Sequence, residues 1–218
     1  MKTILVAVSG GSASGKTTLA EAVRRGLEPV ETRLIREDEY YVDSSEIPGF
    51  DPLRFNFDDV SAHDHALLAR HLSALKKGKG VDAPLYDFVT HSRSKQTRHL
   101  SPAEVVIVEG IHVLSDPDLM ALYDLTVYVD APSDVRLARR ILRDVRERGR
   151  SVESVVIQYL RTVRPMHLKY TEPAKAIADI VVNNDAAAAD PELEALRPSF
   201  DLLARPVIER IRALRSGQ

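Results

Sequence analysis

The chain alternates short apolar runs with longer segments in which apolar residues recur at helical spacing. The runs are continuous, as is typical of strands that are buried on both faces of a sheet. They lie at Ile4–Val8, Thr32–Ile35, Val105–Val108, Leu125–Val129 and Ile177–Val182. Helical spacing predicts helices at about 16–27, 59–77, 116–122, 133–147, 151–169 and 193–214. Strands that alternate with helices predict an α/β fold with a parallel sheet flanked by helices.

Two segments interrupt this alternation. Residues 42–58 carry Pro48, Gly49 and Pro52 among aromatic and acidic residues, which predicts an ordered loop. Residues 81–100 contain two candidate strands around a polar middle, which predicts an inserted β-hairpin. The length of 218 residues suits one domain with insertions, so we expect a single domain over 1–218.

Composition and charge exclude several classes of protein. With 44% hydrophobic residues and a formal net charge of -2, the chain is neither a nucleic-acid-binding polycation nor a disordered acidic tail. The sequence contains no cysteine, which excludes disulfides, thiolate metal sites and thiol nucleophiles and fits a reducing compartment. No apolar run is long enough to span a membrane. We therefore expect a cytoplasmic protein with neither nucleic acid nor membrane as a partner.

A glycine-rich loop follows the first predicted strand and precedes a predicted helix. It satisfies the pattern G-x-x-x-x-G-K-[ST] in full. In such a loop, backbone N–H groups and the helix dipole hold phosphates. Lys16 would reach the β- and γ-phosphates of a nucleotide, and the Thr17 hydroxyl would bind Mg²⁺. We assign the following residues to the nucleotide: Gly10, Gly11, Ser12, Ala13, Ser14, Gly15, Lys16, Thr17 and Thr18.

Asp38 follows the second predicted strand, at the edge of the sheet where the phosphate loop is expected. A carboxylate there could accept the proton of a hydroxyl that attacks the γ-phosphate. In the alternative interpretation, Asp38 is one of several solvated acids in this loop, like its neighbours Glu37 and Glu39.

A second carboxylate, Glu109, ends the apolar run Val105–Val108. An acid in this position is expected to hold Mg²⁺, or its water shell, opposite the Thr17 hydroxyl. Asp130 ends the next run and competes for the same role, although it also resembles a helix cap. We favour Glu109.

An arginine-rich segment contains seven arginines in the fifteen residues from 136 to 150. One interpretation is a solvated helix face in which Asp144 and Glu147 pair with arginines, and we favour it for Arg136 and Arg146. The other is a lid whose guanidinium groups close over the phosphates, with Gly149 as a flexible corner. Nucleic-acid binding is a third, but the segment lacks interleaved aromatic residues. The nearby phosphate loop favours the lid, at about 136–160.

Several segments, taken in order from about residue 3 to 184, resemble the uridine kinase (uridine-cytidine kinase) family. The most specific are Tyr86–Arg93, which reads Tyr-Asp-Phe-x-x-His-Ser-Arg, and Glu147–Arg150, which reads Glu-Arg-Gly-Arg. The others are the phosphate loop, Asp38–Tyr41, Phe55–Asp58, Glu109–Ile111, Arg139–Asp144 and Pro165-Met166.

The resemblance implies transfer of the γ-phosphate of ATP or GTP to the 5′-hydroxyl of uridine or cytidine, with Mg²⁺, by a protein that assembles as a tetramer. It implies that Asp38 is the catalytic base and that Glu109 is the metal-side acid. The other roles implied are ribose binding by Asp58 and Arg150, base binding by Tyr86, Phe88 and His91, further nucleoside contacts by Arg140 and Gln158, and lid contacts to the triphosphate by Arg143 and Arg148.

Some residues depart from the family pattern. The segment Asp59–Ala62 replaces the commoner His-Pro-Asp-Ala, and the run after Gly110 also differs, which leaves fine specificity open. His63 and His65 have no assigned role. The alternatives are a P-loop kinase for another small alcohol, such as a phosphoribulokinase, pantothenate kinase or nicotinamide riboside kinase, and a regulatory protein that binds ATP without catalysis.

Overall fold

A parallel sheet forms the centre of the computed structural model, which describes residues 3–52, 54–185 and 197–217. Its strands are β1 (Ile4–Gly10), β2 (Thr32–Arg36), β5 (Val105–Gly110), β6 (Leu125–Asp130) and β7 (Ile180–Asn183), and their order across the sheet is β2-β5-β1-β6-β7. A separate antiparallel hairpin consists of β3 (Val81–Asp87) and β4 (Ser92–Leu100). The predicted α/β fold, with its parallel sheet and inserted hairpin, is confirmed.

Helices cover both faces of the sheet. They are α1 (Lys16–Gly26), α2 (His65–Lys76), α3 (Pro117–Met120), α4 (Ser133–Arg148), α5 (Val152–Gln158), α6 (Arg164–Met166) and α7 (Arg197–Ser216). In β1, Val6 and Val8 belong to a core shared with α1 and α7, whereas Leu5 and Ala7 belong to a core shared with α2. This alternation is the period of two of a strand, and it explains why the run is continuously apolar. No helix in the described ranges is long and apolar enough to cross a membrane.

Two predicted helices have different bounds in the structure. The helix predicted from residue 59 begins at His65, because the side chain of Asp64 caps the backbone N–H of Leu67 and Asp59 instead caps a short 3₁₀ turn at Val60–Ala62. The helix predicted over 151–169 starts as α5 and continues through two π-helical turns to Ala176. The start predicted at 193 for the last helix lies outside the described residues.

The sheet brings the candidate residues to one edge. Arg36, the last residue of β2, and Val8 of β1 both pair with Glu109 of β5. All three strands run in the same direction, so the loops that follow them meet at their carboxyl ends. The glycine-rich loop, Asp38 and Glu109 therefore share this edge.

Candidate active site

The glycine-rich loop bends sharply between β1 and α1. Gly15 adopts a left-handed conformation with φ 94°, and the backbone N–H of Ser14 donates to the carbonyl of Gly11 at 3.0 Å. A side chain at Gly15 would also strike Asn184, whose amide holds the carbonyl of Ser14 at 2.7 Å. Because α1 begins at Lys16, its unpaired N–H groups border the loop, as an anion site requires.

Thr17 and Glu109 face each other beside this loop. The Thr17 hydroxyl donates to Glu109 Oε1 at 3.0 Å. Burial raises the pKa of Glu109 to about 7, Lys16 opposes this rise, and Asp38 adds to it. A buried carboxylate beside a hydroxyl is an all-oxygen donor set of the kind that Mg²⁺ prefers, so these residues fit the ion.

Asp130, the competitor for this role, is engaged elsewhere. Asp130 ends β6 at the same edge of the sheet, but its carboxylate accepts from Lys175 Nζ at 2.6 Å. Glu109 is therefore the better placed of the two acids.

Asp38 lies in a 3₁₀ turn, Glu37–Tyr40, that follows β2, and its side chain is exposed. It is close enough to raise the pKa of both Glu109 and Tyr41. The comparison of Asp38 with a solvated Glu37 is wrong, because Glu37 is fully buried. Burial acts to raise the pKa of Glu37. The opposing effect of His63, His65 and His112 is larger and lowers the pKa to about 2.

The arginine-rich helix α4 is organised around one acid. Asp144 is fully buried and lies within 4 Å of four guanidinium groups. The contacts are 2.8 Å to Arg143, 3.6 Å to Arg150, and 3.7 Å to both Arg140 and Arg148. Asp144 is thus a buried hub and not part of a solvated face.

Arg136 is a second correction, because we expected it on a solvated face and it is only 5% exposed. Its Nε donates to the carbonyl of Ala131 at 3.0 Å, and its Nη2 lies 3.0 Å from His167 Nε2. The Arg136 guanidinium occupies the position that a side chain on Gly11 would take, so Arg136 packs directly against the phosphate loop. Arg146 is exposed, as expected.

A polar chain connects the phosphate loop to the end of α5. Arg140 donates to Ser12 Oγ at 2.7 Å and to Gln158 Oε1 at 2.9 Å, and Arg150 donates to the same Gln158 oxygen. The structure therefore brings together Arg140, Arg150 and Gln158, three residues that the sequence analysis grouped.

Asp58 is buried at the other side of the site. Its carboxylate accepts from the Thr162 hydroxyl at 2.9 Å, and its backbone carbonyl accepts from His112 Nε2 at 2.7 Å. Like Asp38, it raises the pKa of Tyr41. Thr162 lies in the first π-helical turn, a deviation that often marks functional sites in helices.

Aromatic rings connect the loop before Asp58 with the hairpin. Tyr86 packs against Tyr41 at 5.3 Å and against Phe88 at 5.2 Å, and His91 packs against Phe57 at 4.8 Å. Phe88 is 58% exposed, which leaves its ring free to cover a ligand. The loop that carries Tyr41 and Phe57 and the hairpin that carries Tyr86, Phe88 and His91 thus supply one aromatic surface.

The sequence analysis missed several residues of this site. Thr162 and Tyr41 had no assigned site role, and nothing in their spacing marks them, because their partners come from other elements. Asp144 was expected to pair with arginines, but on a solvated face and not as a buried residue. Asp144 carried the only available signal, an acid among seven arginines.

Comparison with known proteins is consistent with this geometry. Residues 5–188 match the model of the Phosphoribulokinase / Uridine kinase family. A uridine kinase of Brevibacillus brevis is 42% identical over 204 residues, which are 94% of this chain and 92% of that one. A uridine kinase of Oceanobacillus iheyensis is 42% identical over 181 residues, 83% of this chain and 86% of its own length.

Solved structures agree on the fold. A possible uridine kinase from Bacillus stearothermophilus has a TM-score of 0.60 and 21% identity, covering 83% of this chain and 89% of that chain. Phosphoribulokinase from Rhodobacter spheroides has a TM-score of 0.62 and 18% identity, covering 88% of this chain and 74% of that chain. The predicted resemblance is confirmed: the chain is a P-loop kinase and belongs to the Phosphoribulokinase / Uridine kinase family.

Proposed function

We propose that this enzyme is a nucleoside kinase that transfers the γ-phosphate of ATP or GTP to the 5′-hydroxyl of uridine, cytidine or both. The observation that carries the proposal is the position of Asp38. It lies in the turn after β2, at the edge of the sheet that also carries the phosphate loop and Glu109. Its charge raises the pKa of Glu109 on the phosphate side and, together with Asp58, the pKa of Tyr41 on the other side. A base between a triphosphate site and a hydroxyl-binding acid is the arrangement that phosphoryl transfer to a ribose needs.

In this proposal, Asp38 takes the proton of the 5′-hydroxyl while the oxygen attacks the γ-phosphorus and the bond to the β-phosphate oxygen breaks. The products are a nucleoside 5′-monophosphate and a nucleoside diphosphate. Lys16 and the loop N–H groups hold the β- and γ-phosphates, and Arg143 and Arg148 offset the charge that develops on them. Mg²⁺, held by Thr17 and Glu109, would neutralise phosphate charge when bound.

The nucleoside would lie across the aromatic surface. Asp58 can accept both ribose hydroxyls, and Arg150 is linked to it through Gln158 and the Thr162 hydroxyl. Tyr86 and Phe88 offer apolar faces to a pyrimidine, and His91 can bond its polar edge. The relatives named uridine kinases favour a pyrimidine over the other small alcohols. We also propose a cytoplasmic homotetramer with no nucleic acid or membrane partner, in a single domain over 1–218.

The decisive test is a coupled assay of nucleoside-diphosphate release. Uridine, cytidine, adenosine, ribulose 5-phosphate, pantothenate and nicotinamide riboside would be compared as acceptors. We expect acceleration by one or both pyrimidine nucleosides, and the proposal fails if neither accelerates the reaction.

The Asp38→Asn variant tests the base. We expect kcat to fall about 10²–10⁴-fold, the usual contribution of a positioned base, while ATP binding by calorimetry stays unchanged because the phosphate loop is intact. Asp118→Asn, the same change at an exposed acid of α3, should keep the parental rate. A parental rate in Asp38→Asn would remove Asp38 from its role without removing the kinase activity.

A further inference from the structure

Glu37, His63 and His65 form a buried cluster that the proposed phosphoryl transfer does not use. One ligand atom from each side chain lies within 4.8 Å of the other two. The exposed fractions of the three residues are 0%, 5% and 6%. Glu37 comes from the turn after β2, whereas His63 precedes α2 and His65 is its first residue, so only the fold brings them together.

His63 is the least explained side chain of the cluster. It is almost completely buried, and neither of its ring nitrogens has a hydrogen-bond partner. Its ring stacks on Tyr41 at 4.3 Å and on His65 at 5.7 Å, so an apolar ring would pack there equally well. An unpaired buried polar group destabilises the fold unless something binds it.

The contacts of His65 indicate what binds in the cluster. Its Nε2 lies 2.8 Å from Glu37 Oε1, and its Nδ1 lies 3.6 Å from Asp116 Oδ2. In one tautomer Nε2–H simply donates to Glu37 Oε1; in the other, with the proton on Nδ1 on the Asp116 side, the Nε2 lone pair is available to a metal ion that Glu37 also binds. A histidine whose second nitrogen is oriented by a carboxylate is the usual form of a metal ligand.

The backbone explains why both imidazoles reach the same carboxylate. His63 has extended dihedral angles, φ −110° and ψ 137°, and residues two apart in extended chain lie on the same side. Glu37 is fixed from behind by the backbone N–H of His112, which donates to its Oε2 at 2.9 Å and leaves Oε1 for the cluster.

We propose that Glu37, His63 and His65 bind one divalent transition-metal ion, with Zn²⁺ as the best fit. Two imidazoles and one carboxylate are a donor set that zinc accepts, with a water molecule in the fourth position. Ligand atoms about 2.0–2.2 Å from a tetrahedral zinc ion lie about 3.3–3.6 Å apart, so atoms at the 4.8 Å limit of the cluster would need to close by roughly 1.5 Å. This site is separate from the all-oxygen pair of Thr17 and Glu109, which suits Mg²⁺.

The test is a Co²⁺ titration of the chelator-stripped protein in excess Mg²⁺, which fills all-oxygen sites. We expect one equivalent of Co²⁺ to produce the visible absorption of a four- or five-coordinate ion and Zn²⁺ to displace it. His63→Phe keeps the stacking ring and should weaken binding at least 100-fold, since even outer-shell losses weaken metal sites about 10–100-fold. His99→Phe, at an exposed histidine of β4, should bind Co²⁺ like the parent.

The outcomes separate the site from its alternatives. No stoichiometric binding by the parent would mean that a proton alone fills the space between His65 and Glu37, and would overturn the proposal. Unchanged binding by His63→Phe would overturn it as well. X-ray absorption of the zinc-loaded parent needs no variant: scattering from two imidazoles supports the site, and scattering from none overturns it. None of these readouts depends on kinase activity.

Discussion

Asp144 and Glu37 are both fully buried carboxylates surrounded by basic side chains, but their partners differ in kind. Asp144 meets four guanidinium groups, which stay charged at every accessible pH. Glu37 meets imidazoles, which can lose a proton or bind a metal. The first arrangement holds charge permanently beside the phosphate loop, where Arg140 contacts Ser12, and the second has side chains whose charge can change with pH.

The exposure of the partners differs as well. Arg140 is 6% exposed, whereas the side chain of Arg148 is 55% exposed, so one guanidinium is fixed and the other reaches solvent. Around Glu37, both His63 and His65 are buried. A single acid can therefore hold both a buried and a solvent-exposed arginine, whereas the two histidines around Glu37 are both shielded from solvent.

Asp144→Asn should give the largest effect on stability. Removing this charge takes from the buried Arg140 one of the two carboxylates, Asp58 and Asp144, that raise its pKa against burial. Breaking a buried ion pair typically lowers the free energy of unfolding by about 3–5 kcal/mol. Urea denaturation at neutral pH measures the change. Glu147→Gln, at an exposed acid of the same helix, should leave the stability unchanged. Equal stability of Asp144→Asn and the parent would contradict the role of Asp144 as a hub.

Glu37→Gln should give a smaller effect, measured in the chelator-stripped protein. The amide can still accept from the His112 N–H, and the histidines can become neutral, so no uncompensated charge stays in the core. We expect a loss of about 2 kcal/mol, the value of hydrogen bonds to a charged group. Glu46→Gln, at an exposed acid, is the control. A loss equal to that of Asp144→Asn would show that the imidazoles behave like permanent charges.

The fold was largely predictable because its signals are local. The continuous apolar run of β1 and the G-x-x-x-x-G-K-[ST] loop are contiguous in sequence, and each specifies its own structure. The helix bounds near residue 59 were less predictable, because Asp59 and Asp64 are both good caps and the local pattern does not choose between them.

The site was predictable only in part, because its less obvious contacts are long-range. Glu37 looked like an ordinary loop acid, and its burial depends on histidines about 26 residues away in sequence. Arg136 looked solvated, and its burial depends on His167 in the second π-helical turn. Periodicity describes one element at a time, so it does not show which side chains of separate elements meet.

Gly149→Ala should give the smallest loss of stability, and it tests whether the backbone turn after α4 helps Asp144 to hold its arginines. Gly149 ends α4 in a left-handed conformation with φ 62°, and this turn lets the backbone N–H of Arg150 donate to the carbonyl of Asp144 at 3.1 Å. A side chain there meets open space, so only the dihedral preference opposes it, and the loss should be about 1–2 kcal/mol. Gly78→Ala, another left-handed glycine in open space after α2, is the matched control for strain alone. If Gly149→Ala lowers kcat while Gly78→Ala lowers only stability, the turn positions Arg150 for the reaction; equal kinetics in both variants would show that Asp144 holds the arginines without help from the turn.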